Sequence, residues 1–67
     1  MNFRLDNKFK TLEKINILGL ESEFDYYGQV CQLGKNYVPD GIGLAVELRY
    51  GLIWEGSFSK GKLGYLS

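Results

Sequence analysis

The chain has 67 residues and a formal net charge of zero, because eight Lys and Arg side chains balance eight Asp and Glu. It has no His, one Cys and one Pro, which excludes a disulfide framework, a Cys/His zinc site and any Ser–His or Cys–His nucleophile. The 45% hydrophobic content is typical of one small globular domain, and we expect no enzyme activity, no cofactor and no nucleic-acid partner.

The N-terminal segment, residues 1–23, holds a single glycine, Gly19. Four of its apolar residues recur at the spacing of a helix face, namely Leu5, Phe9, Leu12 and Ile15. Asp6 could cap such a helix. Residues 15–20 fit a strand equally well. We therefore predict a short helical or irregular segment that is followed by a strand.

The sequence shows no targeting signal. No apolar run reaches the roughly 18–20 residues that a membrane span needs, and the first six residues contain an acid and no apolar core. The single thiol, Cys31, is typical of a small buried side chain in a reducing compartment. We therefore expect an intracellular protein that is cytoplasmic, cytoskeletal or membrane-peripheral, and not secreted.

Residues 24–67 are rich in glycine. They contain Gly28, Gly34, Gly41, Gly43, Gly51, Gly56, Gly61 and Gly64. Because each glycine weakens a helix by about 1 kcal/mol relative to Ala, a helix is disfavoured in this part of the chain. Glycines that separate short apolar alternations predict a mainly β fold, in which antiparallel hairpins follow one another in an open twisted sheet.

The first strand of this part covers residues 24–33 and has large side chains on both faces. Such a strand is either covered on both sides or bulged at Gly28. After it, residues 34–41 predict a connector with its turn at Pro39, Asp40 and Gly41, since these are residue types that favour turns.

The clearest predicted hairpin joins residues 44–50 to residues 52–58. Four apolar side chains of its first strand share one face, namely Leu44, Val46, Leu48 and Tyr50. A three-residue loop would pair Val46 with Trp54 and keep both faces intact. It would also place Gly51 at the loop position that needs a left-handed backbone. Residues 61–65 predict the start of one more strand.

An aromatic-x-Gly pattern recurs along residues 26–64. Its members are Tyr26, Gly28, Gly34, Gly41, Gly43, Gly51, Trp54, Gly56, Phe58 and Gly61. The pattern resembles the MORN repeat with a degenerate first repeat, since the 28 residues from Tyr26 to Trp54 exceed the length of the family repeat. The resemblance implies MORN-like β-hairpins over residues 24–67 that stack side by side, without catalytic groups, in a scaffold for protein or membrane-associated assemblies.

The size of the chain adds an expectation about partners. A core this small rarely supplies more than about 3–5 kcal/mol of net stability, and a short repeat array leaves an open edge. We expect a protein partner or self-association, at most weak attraction to membrane headgroups, and no small-molecule substrate. The candidate interaction surface consists of Tyr27, Tyr37, Tyr50, Lys60 and Lys62.

Two alternatives use other residues. An SH3-like small β-barrel would bind a peptide through Tyr26, Tyr27, Tyr50 and Trp54. The alternating carboxylates of Glu21, Glu23 and Asp25 could in principle hold a cation, but this pattern is more typical of a solvated strand edge that resists aggregation. We therefore predict no metal site.

Overall fold

The computed structural model describes residues 8–66. They form five strands: β1 (Lys8–Asn16), β2 (Glu23–Leu33), β3 (Asn36–Glu47), β4 (Ile53–Ser59) and β5 (Lys62–Leu66). The strands lie in the order β1-β2-β3-β4-β5, and each neighbouring pair is antiparallel. The prediction of an open meander of β-hairpins is therefore confirmed, including the last strand.

The helix considered for the N-terminal segment is wrong within the described residues, because Lys8–Asn16 is a strand. Leu5 and Asp6 lie outside the described residues. A bulge explains the misleading spacing, since Leu12 pairs with Tyr26 but Ile15, three residues later, pairs with Phe24. One extra residue in β1 therefore turns both apolar side chains toward the core, which produces a helix-like spacing in a strand.

The connection from β1 to β2 crosses the core face of the sheet. Ile17 is 1% exposed and belongs to the core cluster. Its neighbour Leu18 forms a parallel bridge with Lys62 at the start of β5, and the Leu18 N–H donates to the carbonyl of Gly61 at 3.0 Å. This short segment therefore covers the core and joins the two edges of the sheet.

The predicted turn at Pro39, Asp40 and Gly41 is wrong, because all three residues belong to β3. The turn between β2 and β3 is Gly34-Lys35. Between the pairs Gly28–Gly43 and Val30–Pro39, three residues of β3 lie opposite one residue of β2. The bulge predicted near Gly28 is thus present, and it accommodates a proline that lacks the N–H of a regular ladder.

The predicted register of the β3–β4 hairpin is wrong by one residue. Val46 pairs with Ile53 and Ala45 with Trp54, and residues 48–52 connect the two strands. The reason is Glu47, which is only 4% exposed and accepts the Tyr50 N–H on its carboxylate at 2.6 Å. Gly51 has a positive φ of 74° in the loop, as expected.

The core lies on one face of the sheet, beneath the crossing segment. Its fully buried apolar residues are Ile17, Phe24, Tyr26, Val30, Ala45 and Phe58. The rings of Tyr26 and Phe58 meet edge to face, with centroids 5.1 Å apart and an interplanar angle of 84°. On β3 this face carries Gly43, Ala45 and Glu47, whereas Leu44 and Val46 are only partly buried on the opposite face.

Candidate interaction surfaces

The central aromatic–glycine motif forms part of the core. Gly28, Gly43 and Gly56 lie opposite one another across β2, β3 and β4, and we call them the glycine row. The Tyr26 ring lies against this row so closely that a Cβ on Gly43 would overlap the ring. The Tyr26 hydroxyl donates to the carbonyl of Gln29 at 2.6 Å. The glycines therefore make room for a buried aromatic side chain.

The remaining motif residues also have structural positions. Gly34, Gly51 and Gly61 lie in the three tight connections between strands, each with a positive φ. Gly41 lies in the β3 bulge, against the side chain of Gln29. Trp54 and Phe58 project from β4 toward the core. The structure thus assigns packing and turn positions to the whole motif.

Burial and a nearby carboxylate both disfavour ionisation of the Tyr26 phenol. Desolvation raises the pKa of Tyr26 far above its ordinary value, and the negative charge of Asp40 raises this pKa further. Asp40 is itself buried, and its carboxylate accepts the Lys60 N–H at 3.0 Å. This carboxylate therefore positions the turn between β4 and β5.

An apolar patch occupies the side of the sheet opposite the core. We call this patch the outer face; it consists of Phe9, Tyr27, Leu44, Val46 and Ile53. Tyr27 pairs with Leu44, and Val46 pairs with Ile53 in the adjoining row. Phe9 is 66% exposed, Ile53 65% and Tyr27 45%. Contiguous exposed apolar side chains of this kind are typical of protein interaction surfaces.

The glycine row also separates two ends of opposite charge. Toward the β2–β3 turn, the described charged residues are Lys8, Lys35, Lys60, Lys62 and the buried Asp40. Lys10 pairs with Gly28 at the end of the row, and its Nζ lies over the Tyr37 ring on the same side. Toward the β3–β4 loop the described charged residues are Glu13, Lys14, Glu21, Glu23, Asp25, Glu47, Arg49 and Glu55. We call these the basic end and the acidic end. A neutral chain therefore carries a strongly uneven charge distribution.

A cleft of about 330 Å³ opens at the acidic end between the start of β2 and the β3–β4 loop. We call it the acidic cleft; it is lined by Glu21, Ser22, Glu23, Leu48 and Arg49. Beside it, hydrogen bonds from the Ser22 hydroxyl and then from the Tyr50 N–H lower the pKa of Glu47. Carboxylates therefore surround an apolar side chain, Leu48, which is 42% exposed.

The structure does not unite the predicted interaction residues into one surface. Tyr27 lies on the outer face, and Tyr50, 72% exposed, lies in the β3–β4 loop. The Tyr37 ring lies beneath Lys8 and Lys10, whose Nζ atoms are 5.9 and 4.7 Å from its centroid. Lys60 and Lys62 lie at the β4–β5 turn. Sequence reasoning also missed Leu44, Val46 and Ile53, because their exposure depends on the observed register.

The peptide groove expected of an SH3-like barrel is not formed by the four residues assigned to it. Tyr26 is fully buried, whereas Tyr27 points to the opposite side of the sheet. Trp54 is half-buried, and its Nε1 atom has no hydrogen-bond acceptor among the described residues. Within residues 8–66, no group of three or more Cys, Asp or Glu side chains is arranged to hold a metal ion.

Comparison with known proteins gives no relative. No protein-family model matches the chain, and neither a curated protein nor a solved structure is significantly similar to it. The resemblance to the MORN family therefore stays a prediction. In the part of the chain that the structure describes, no helix is long and apolar enough to cross a membrane.

Proposed function

We propose that the protein is a non-enzymatic scaffold or small structural subunit, which binds another protein through the outer face of its MORN-like β-hairpins. The observation that carries the proposal is the exposed apolar patch formed by Phe9, Tyr27, Leu44, Val46 and Ile53. The crossing segment covers the core face, whereas no described segment covers the outer face. An exposed apolar sheet face of this type fits a folded partner better than a small molecule.

The polar flanks of the outer face indicate the chemistry of that partner. In one cross-strand row, Leu44 lies between Tyr27 and Glu55. In the adjoining row, Val46 lies between Asp25 and Ile53. A partner with apolar residues at its centre and Lys or Arg at its rim would match this arrangement. Burial of one exposed Phe or Ile side chain contributes about 1.5–3 kcal/mol, so the apolar contacts would dominate the affinity.

The positions of the buried carboxylates support a structural role. Asp40 accepts the Lys60 N–H in the β4–β5 turn, and Glu47 accepts the Tyr50 N–H in the β3–β4 loop. Both groups therefore stabilise connections between strands.

The proposal is tested by substitution of the outer face. In a Tyr27→Thr/Ile53→Thr variant, threonine is a residue type that strands favour, as Tyr and Ile are, and it removes most of the apolar contact area. We expect a protein captured by the native chain, once purified, to bind this variant at least tenfold more weakly in calorimetry.

A matched control substitutes two exposed residues outside the outer face, Tyr50→Thr and Leu52→Thr, which are 72% and 54% exposed. The control should bind the purified protein as the native chain does. Equal binding by all three proteins, or an equal loss in both variants, would contradict the proposal.

A further inference from the structure

The tip of the β2–β3 hairpin projects beyond the rest of the described sheet. On β3, β4 pairs only from Gly41 onward, and the β4–β5 turn reaches β3 at Pro39, whose carbonyl accepts the Gly61 N–H at 2.7 Å. Among the described residues, those between Leu33 and Tyr37 therefore pair only within the hairpin. We call residues 32–37 the hairpin tip. It presents an apolar side chain, Leu33, which is 52% exposed, and the exposed cation Lys35.

The acidic cleft offers the matching features at the other end of the same two strands. Leu48 supplies an exposed apolar contact, and the side chains of Glu21 and Glu23 supply two exposed negative charges. Arg49 also lines the cleft and adds one positive charge, so the lining keeps a net negative charge. The volume of about 330 Å³ lies at the lower end of the roughly 300–1,000 Å³ of typical ligand pockets. It is large enough to hold one or two side chains of a protein.

The distribution of charge favours a second copy of the chain as the occupant of the cleft. The basic end and the acidic end lie on opposite sides of the glycine row, so one copy of the chain is electrostatically complementary to another. A two-fold contact made by the same end of both copies would bring like charges together, which is unfavourable. A contact between unlike ends is favourable and leaves one free tip and one free cleft.

From these observations we propose that copies of the chain associate head to tail, with the hairpin tip of one copy seated in the acidic cleft of the next. Leu33 contacts Leu48, and Lys35 lies between the carboxylates of Glu21 and Glu23. Because each contact leaves both surfaces available at the ends, the assembly extends beyond a dimer. This self-association adds a second contact to the proposed function and uses neither Tyr27 nor Ile53.

The first experiment is sedimentation velocity of the full chain over a wide concentration range. Exposed ion pairs are weak and are screened by salt, with a Debye length near 10 Å at 0.1 M. At low salt we expect the average mass to rise past that of a dimer, and at 0.5 M salt to fall back toward the monomer. A monomer at every concentration, or a mass that stops at the dimer, would overturn the proposal.

The second experiment exchanges the charges of the two surfaces. Lys35→Glu alone, and Glu21→Lys/Glu23→Lys alone, should each stay monomeric, because tip and cleft then carry like charges. An equimolar mixture of the two variants restores both opposite-charge contacts, so we expect assembly to return. A mixture that stays monomeric, or a single variant that assembles like the native chain, would overturn the head-to-tail contact.

A control separates this contact from general attraction between the two ends. Lys62→Glu makes the same charge change at the basic end but outside the hairpin tip, and it should weaken assembly less than twofold. A loss equal to that of Lys35→Glu would overturn the role of the tip.

A further control separates this inference from the proposed function. The Tyr27→Thr/Ile53→Thr variant should assemble end to end like the native chain. If it does so and also loses the protein partner, the two surfaces act independently. Loss of end-to-end assembly in this variant would overturn the assignment to tip and cleft.

Discussion

The two faces of the central strand β3 differ in a way that hydrophobicity alone does not explain. Its core face carries Gly43, Ala45 and Glu47, which are small or charged, while its outer face carries the larger apolar residues Leu44 and Val46. The core face is filled instead by large rings from neighbouring strands, Tyr26 and Phe58. Which face is buried is therefore decided by where the aromatic side chains find space.

This difference teaches that small residues can mark a core as well as large ones. The core face of this sheet is covered only by a short crossing segment among the described residues. The rings of Tyr26 and Phe58 fit on this face because β3 has small or no side chains beside them. The larger residues on β3 are then left for the other side, where we propose that a partner covers them. The following variants would break or sharpen this comparison.

The largest effect is expected from Gly43→Val. A Cβ at this position would overlap the ring of Tyr26, which is fully buried in the core. Overpacking of a core typically costs about 1–3 kcal/mol, and the added branching places this variant at or above the upper end. Urea unfolding should show the loss. The outer-face neighbour Leu44→Val should cost less than about 1.5 kcal/mol, and equal losses would refute the assignment of faces.

A smaller loss is expected from Tyr26→Phe. The substitution keeps the ring but removes the hydroxyl that donates to the Gln29 carbonyl at 2.6 Å in the core. Loss of one intramolecular hydrogen bond typically costs about 0.5–1.5 kcal/mol. Thermal unfolding should show a lower Tm, whereas Tyr27→Phe on the outer face should leave Tm nearly unchanged. A Tyr26→Phe variant as stable as the native chain would contradict the role assigned to this hydroxyl.

The pH dependence of the free energy of unfolding should show how much the ionised Glu47 carboxylate stabilises the fold. Because hydrogen bonds from Ser22 and Tyr50 lower the pKa of Glu47 in the folded state, its ionised form stabilises the fold above the unfolded pKa of about 4.5. That contribution is lost as the pH falls through the lower, folded value. Glu47→Gln keeps an acceptor oxygen but does not ionise, so its stability should change less between pH 5 and pH 3. If the native chain and the Glu47→Gln variant lost stability equally between pH 5 and pH 3, the stabilising role of the Glu47 carboxylate would be contradicted.

The smallest change is expected at Trp54. Its Nε1 atom has no acceptor among the described residues, so Trp54→Phe removes an unsatisfied buried donor together with some contact area. These two effects have opposite signs. We expect the free energy of unfolding to stay within about 1 kcal/mol of the native value, in contrast to Gly43→Val. A loss of several kcal/mol in denaturant unfolding would show that the indole packs more tightly than its half-buried state indicates.

Much of the fold could be predicted from the sequence, because a glycine affects the backbone conformation at its own position. The glycines of residues 24–67 excluded a helix and marked the turns, and Gly28 marked the β2–β3 irregularity. One feature depended on contacts that are distant in sequence. Pro39 and Gly41 resembled a turn, but in β3 the Pro39 carbonyl accepts the Gly61 N–H of the β4–β5 turn, and Gly41 lies against the side chain of Gln29.

The candidate surfaces were harder to predict than the strands. A one-residue shift of register exchanges the two faces of a strand. In the observed register Glu47 lies on the core face, so Leu44 and Val46 lie on the outer face. The two charged ends were also hidden, since the lysines and carboxylates of each end come from separate parts of the chain. The separation of positive from negative side chains becomes visible only when the strands are placed in their observed register.

The hydrogen bond from the Leu18 N–H to the Gly61 carbonyl has a consequence for folding kinetics. This hydrogen bond closes a loop of about forty residues. The entropy cost of closing that loop is offset only when all the intervening hairpins have formed. The Leu18 amide should therefore exchange its hydrogen with solvent only when the whole domain opens. A single amide near the N-terminus would thus report how cooperatively the first and last strands unfold.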